Sequence, residues 1–229
     1  MVFPIGDTFP KYRMPVGVLA LIAVNVAVMV HTWGMSPHQQ RALFSSVGLI
    51  PWEILNGQDI GGLSPHPLWL TVFTSMFVHG GFWHLAGNML FLWAFGNTLE
   101  QWLGTARFLM FYLLTGALAA ALHIAMHPAS MLPTVGASGA IAGVLGGYFV
   151  RFPFARIRTL VGFPPFLFVI GIPALLCLGM WFLLQLQGGL ATIGPGELSN
   201  IAFWAHIGGF GAGMLLVGLF TPAARQRMV

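Results

Sequence analysis

The sequence predicts an all-α, polytopic membrane protein, a bundle of six transmembrane helices with a large, partly helical first loop. Three observations carry this expectation. Of 229 residues, 57% are hydrophobic and only 6% charged, whereas a soluble domain carries about 25% charged residues to solvate its outside. Apolar runs repeatedly approach the roughly 20 residues that cross a bilayer. The few basic residues alternate with those runs so that nearly all fall on one side.

Residues 1–14 read as a short polar lead, without the cleavable apolar segment of a signal peptide or an Arg/Ser-rich presequence. A single membrane domain covers 15–220, and 221–229 form a short tail. The first span runs from Pro15 to about His31. Residues 32–78 mix Arg41, Glu53 and Asp59 with short apolar and aromatic pieces; they are too polar to cross, and short helices lying in the interface are expected. The second span covers about 81–100, with His84 and Asn88 four apart on one face and His79 at its entrance. Arg107 opens the third, which ends near His123 and His127.

The fourth span, Ser138 to Val150, is short. At 1.5 Å per residue it reaches roughly 20 Å, against a hydrocarbon core of about 30 Å. Its N-terminus therefore starts below the membrane surface. That places Ser138 at depth, at a helix start whose unpaired N–H groups and dipole favour negative charge. Pro164 and Pro165 precede a fifth span reaching Gln187 and containing Pro173. A glycine-rich loop is expected over 188–200, then a sixth span from Ile201 to Phe220 with His206 near its start.

Lys11, Arg13, Arg107, Arg151, Arg156, Arg158, Arg225 and Arg227 all fall on one face of this arrangement, and Arg41 alone on the other. Basic residues collect on the cytoplasmic side, so both termini are expected there, in a bacterial inner membrane. The pI near 10.0 does not indicate nucleic acid, because the cations are too few and scattered to track phosphates. The single cysteine, Cys177, has no partner for an intrachain disulfide.

Gly136-Ala137-Ser138-Gly139 could serve helix packing alone, since small residues let membrane helices approach closely. Polar groups at membrane depth are costly, however, and by default functional. Ser138 needs a base to lose its proton, and His206 is the candidate. Gly209 and Gly213 near the His206 face, and Gly139, Gly143 and Gly146 beside Ser138, would let two helices meet closely enough for such short side chains to touch. No acid falls in the outward half of a span, so a dyad is expected rather than a triad. His84, Asn88 and the Ser138 backbone N–H could together hold an oxyanion. No metal and no cofactor is expected: His123 and His127 lack further ligands in a chain with five acids. A rival assignment makes His84 and His206 axial ligands of a haem, or part of a multi-histidine transporter.

These residues resemble the rhomboid intramembrane serine proteases. The resemblance covers about Pro15 to Phe220: a six-helix core, HGGFWHLAGN at 79–88, GASG at 136–139 and AHIGGFGAG at 205–213. It implies a rhomboid-like bundle with Ser138 as nucleophile, His206 as base, His84 and Asn88 as oxyanion donors, and a structural role for His79. Where the family commonly has Trp-Arg in the first loop, this chain has Trp69 followed by Leu70. The resemblance further implies single-pass transmembrane substrates that enter from the lipid bilayer past the fifth helix. A catalytically inactive, client-binding relative is the alternative within the family.

Overall fold

A computed structural model describes residues 2–65, 67–193 and 201–223. Strand β1 (Val2–Asp7) leads into α1 (Val16–Trp33). Short helices follow: α2 (Pro37–Val47), α3 (Pro51–Asn56) and α4 (Thr71–Thr74), the last set between 3-10 turns at Leu68–Leu70 and Ser75–Phe77. Helix α5 (Phe82–Phe91) continues through a π-helical turn, Leu92–Gly96, into α6 (Asn97–Leu103). The chain then turns at Gly104, whose φ of +82° favours glycine, into α7 (Thr105–Met126). After α8 (Ser138–Arg151) come a hairpin, β2 (Arg156–Phe163) and β3 (Phe166–Pro173), then α9 (Ala174–Ala191) and α10 (Phe203–Phe220). Four of these helices, α1, α7, α9 and α10, are long and apolar enough to cross a membrane.

The sheet corrects the all-α expectation. Its order is β1-β2-β3, antiparallel throughout, and it takes in both the polar lead and the first third of the expected fifth span. Periodicity does not distinguish a short apolar run as strand or helix. Here Phe, Val and Ile over 166–172 favour a strand, and Pro164 with Pro165 forms the turn. Pro173 lies not inside a helix but at the N-cap of α9, where a missing N–H costs nothing. Helix α9 continues to Ala191, so 188–191 are helical rather than loop, while 194–200, with Glu197, lie outside the described residues. Arg225 and Arg227 lie outside them too.

Helix α8 is the hub. Every residue from Ala140 to Tyr148 is buried, against α7, α10 and the π-helical turn. The apparent excess of glycine has a packing reason on the α8–α10 seam. A methyl on Gly209 would collide with the Gly139 carbonyl, and one on Gly213 with the Gly143 carbonyl. A methyl on Gly146 would strike the Phe210 carbonyl. The two backbones therefore touch, as small-residue interfaces allow. Phe95, Phe108, Phe111, Tyr112 and Tyr148, all fully buried, fill the space on the other side of α8.

Two carboxylates tie the chain's first segment down. Glu100 accepts from the backbone N–H groups of Gly17 and Val18 at 2.8 Å each, and from Thr105 Oγ at 2.7 Å. It thus caps α1, which has no side-chain cap of its own. Asp7, with its side chain wholly buried, pairs with Lys11 at 2.7 Å. It also accepts from Thr98 Oγ and from the Tyr148 hydroxyl, both at 2.6 Å. Asp7→Ala would take the carboxylate from Lys11, which keeps Thr98 Oγ, and would leave the buried Thr98 and Tyr148 hydroxyls without their acceptor. Lys11, with 32% of its side chain exposed, can turn to solvent, but a buried hydroxyl left without its partner costs about 1–3 kcal/mol, and denaturant titration in micelles should read a loss of that order.

Candidate active site

Helix α8 begins at Ser138, because the chain reaches it through Gly136, whose φ of +127° lies in the region that favours glycine. The Gly136 N–H donates to the Ser75 carbonyl at 2.9 Å. A side chain there would also meet His84, since an ideal Cβ lies 2.8 Å from His84 Cε1 and 3.8 Å from Asn88 Nδ2. His84 and Asn88 thus stand over the residue two before Ser138, on the shared α5 face expected from their spacing. His79 is buried and its Nε2 accepts the Ala137 N–H at 3.4 Å. Its ring meets that of His84 edge-on, centroids 5.0 Å apart. His79 therefore braces both the approach to Ser138 and the ring of His84.

Across the α8–α10 seam, His206 Nε2 lies 2.8 Å from Ser138 Oγ. The backbone contacts at Gly139–Gly209 and Gly143–Gly213 are what bring two such short side chains within reach. His206 Nδ1 lies 2.7 Å from Gln185 Oε1, on α9, and the Trp181 ring faces the imidazole with centroids 5.9 Å apart and planes 35° apart. Both ring nitrogens are therefore engaged by protein groups. Gln185 was not singled out from the sequence. The signal available was an amide within an apolar span.

Ser138, His206, His84 and Asn88 line one cavity of about 720 Å³, together with Gly136, Gly139 and Trp181. Asn88 is 8% exposed and its Nδ2 has no hydrogen-bond partner, an exception of the kind that calls for a physical reason. The first N–H groups of α8, starting at Ser138, have no carbonyl one turn earlier in the helix. Donors from α5 and α8 thus converge beside a hydroxyl–imidazole pair. None of the described carboxylates lines the cavity: Asp7 and Glu100 serve the packing above, and Glu53 and Asp59 accept backbone N–H groups of Ile60 and Ser64. His123 and His127 also line it, rings 5.1 Å apart, with His123 Nε2 3.0 Å from Thr134 Oγ. Trp69 is not brought to the cavity; it is 54% exposed and rests edge-on against Phe73.

The sequence matches the Rhomboid domain over residues 66–223. It is 35% identical over 165 residues to Rhomboid protein 1, mitochondrial, of Saccharomyces cerevisiae, covering 69% of this chain and 44% of that protein. It is 42% identical over 78 residues to Rhomboid protease GluP of Bacillus subtilis, covering 34% and 15% of the two chains. To RHOMBOID-like protein 1 of Arabidopsis thaliana it is 29% identical over 164 residues, 68% and 35%. The matched regions span less than half the length of each of these relatives. The chain belongs to the rhomboid family and is an integral membrane protein.

Proposed function

We propose that this protein is an intramembrane serine endopeptidase, cleaving single-pass membrane proteins within or beside their transmembrane segments through a Ser138–His206 dyad. The observation that carries the reading is the 2.8 Å contact between Ser138 Oγ and His206 Nε2, in a cavity that also holds an unpartnered Asn88 amide. The printed names of relatives support it, GluP being called a rhomboid protease.

In this mechanism Ser138 Oγ attacks the scissile carbonyl carbon while its proton passes to His206 Nε2. The carbonyl π pair moves onto oxygen, where the Ser138 N–H, Asn88 Nδ2 and the His84 ring donate to it. As the tetrahedral intermediate collapses, the C–N bond breaks and the imidazolium returns the proton to the leaving amine. Water, deprotonated by the same imidazole, then releases the acyl group and restores Ser138. His79, Gly209 and Gly213 hold this geometry from behind the cavity, and Gly136 and Gly139 hold it from the cavity wall, where substrate enters.

In the same reading α5–α6 and α8 also cross, making six spans with both termini cytoplasmic and the 188–200 segment on the far side. The eight-to-one basic asymmetry supports this. A bacterial inner membrane is the setting it fits.

The test is a cleavage assay with purified protein in detergent, on a panel of tethered single-pass segments. Cleavage at small residues within or next to the segment, undiminished by EDTA, is the expected outcome. Activity lost to EDTA and regained with zinc would show that the reaction class is wrong.

A further inference from the structure

A neutral imidazole carries one N–H and one lone pair, and only a lone pair on Nε2 can take the proton of Ser138. The usual device for enforcing that tautomer is a carboxylate on Nδ1, but an isolated charge at membrane depth is costly. Gln185 occupies that place on α9, with Oε1 2.7 Å from His206 Nδ1. Its orientation is settled by what lies behind it. Gln185 Nε2 lies 3.4 Å from the Trp181 carbonyl oxygen, one helical turn earlier. A carbonyl only accepts, so the amide NH₂ points there and Oε1 points at the histidine. Oε1 in turn only accepts, so Nδ1 carries the proton and Nε2 presents its lone pair to Ser138 Oγ at 2.8 Å. A main-chain carbonyl of α9 thus dictates, through three hydrogen bonds, the protonation pattern of the base.

We propose that Gln185 is the positioning residue of His206, fixing its Nδ1–H tautomer, and that α9 therefore arms the base only while it is packed against α10. The inference rests on the protease reading above for its catalytic meaning. A neutral amide suits the role, because it accepts from Nδ1–H without bringing a net charge into the bilayer. Trp181 and Gln185 stand four apart on one helix face and both meet the His206 ring, so the two contacts are made or lost together. Helix α9 is also the least covered by protein of the four long apolar helices, with 17% of its apolar stretch buried against 44% for α7. Such an element opens more readily than the core it covers.

The experiment combines two readouts on the full chain in micelles. Histidine is labelled with ¹⁵N in the ring, and the His206 signals are identified by subtracting the spectrum of His206→Asn. At a pH where imidazoles are neutral, wild-type protein should show one tautomer, protonated on Nδ1. Gln185→Leu, which removes the acceptor at similar bulk, should show mixed tautomers and a kcat lowered roughly 10- to 100-fold, a part of the 10²- to 10⁴-fold that base catalysis contributes, with KM little changed. Gln185→Glu keeps an acceptor at the same reach and should restore both the tautomer and most of the rate. An Nε2–H tautomer in the wild-type protein would overturn the proposal whether or not the variants fold. So would a folded Gln185→Leu protein with unchanged tautomer and rate. Wild-type protein with the Nδ1–H tautomer that neither cleaves nor reacts with a fluorophosphonate would instead overturn the protease reading, and with it the catalytic meaning of the lock.

Discussion

Ser138→Ala and His206→Ala should each reduce turnover to background, a loss on the order of 10⁴- to 10⁶-fold, and the double variant should be no slower than either single one. The expectation follows from groups that act as one unit: once the nucleophile is gone, the base has nothing to activate, and the reverse holds equally. Stability should separate the two variants. Ser138 Oγ gives up a single hydrogen bond with His206, so Ser138→Ala should unfold close to wild type, within the roughly 0.5–1.5 kcal/mol of a typical hydrogen bond. His206→Ala also removes a ring set against Trp181 and leaves Gln185 Oε1 without its donor, and should be the less stable of the two. Steady-state cleavage and denaturant titration on the same preparations check both statements. Residual wild-type-like cleavage by Ser138→Ala would mean that another group is the nucleophile.

Asn88→Ala should lower kcat by on the order of 10² to 10³, the scale for loss of one oxyanion donor, while leaving the protein as stable as wild type or more so. The two halves of this prediction have one cause. Asn88 Nδ2 is buried without an acceptor in the resting protein. Burying an unpaired donor costs free energy, and its removal relieves that cost. The donor is useful only when negative charge develops on the substrate carbonyl. A residue that is unfavourable at rest and needed in the transition state is the signature of a function traded against stability. Single-turnover cleavage measured beside unfolding separates this from a merely structural asparagine, whose loss would lower stability and leave kcat near wild type.

The fold was most legible where hydrophobic length and glycine spacing coincide. The expected start of the fourth span at Ser138 is the start of α8, because that run is too short to cross from surface to surface and Gly136 breaks the chain before it. The Gly139, Gly143, Gly209 and Gly213 spacing likewise implied a close helix seam, and the seam is the α8–α10 contact. The hairpin was not legible, because strand β3 is an apolar run with no polar alternation and reads as the opening of a membrane helix. Nor was the anchoring of the N-terminal lead. Asp7 finds Thr98 and Tyr148 across 91 and 141 residues of sequence, a separation no local pattern encodes. Gln185 escaped for the same reason. An orienting amide has no fixed spacing from a histidine on another helix, and only its polarity at depth marked it out.

The most direct measurement is the reaction of the purified, detergent-solubilised protein with a fluorophosphonate, followed by peptide mass spectrometry of wild type and His206→Ala. The account expects one phosphonylated residue in the wild-type protein, Ser138, and none in His206→Ala, because the hydroxyl at 2.8 Å from the imidazole is the one whose proton can leave. Adduct formation at a different serine, or equal labelling of Ser138 with and without His206, would contradict it.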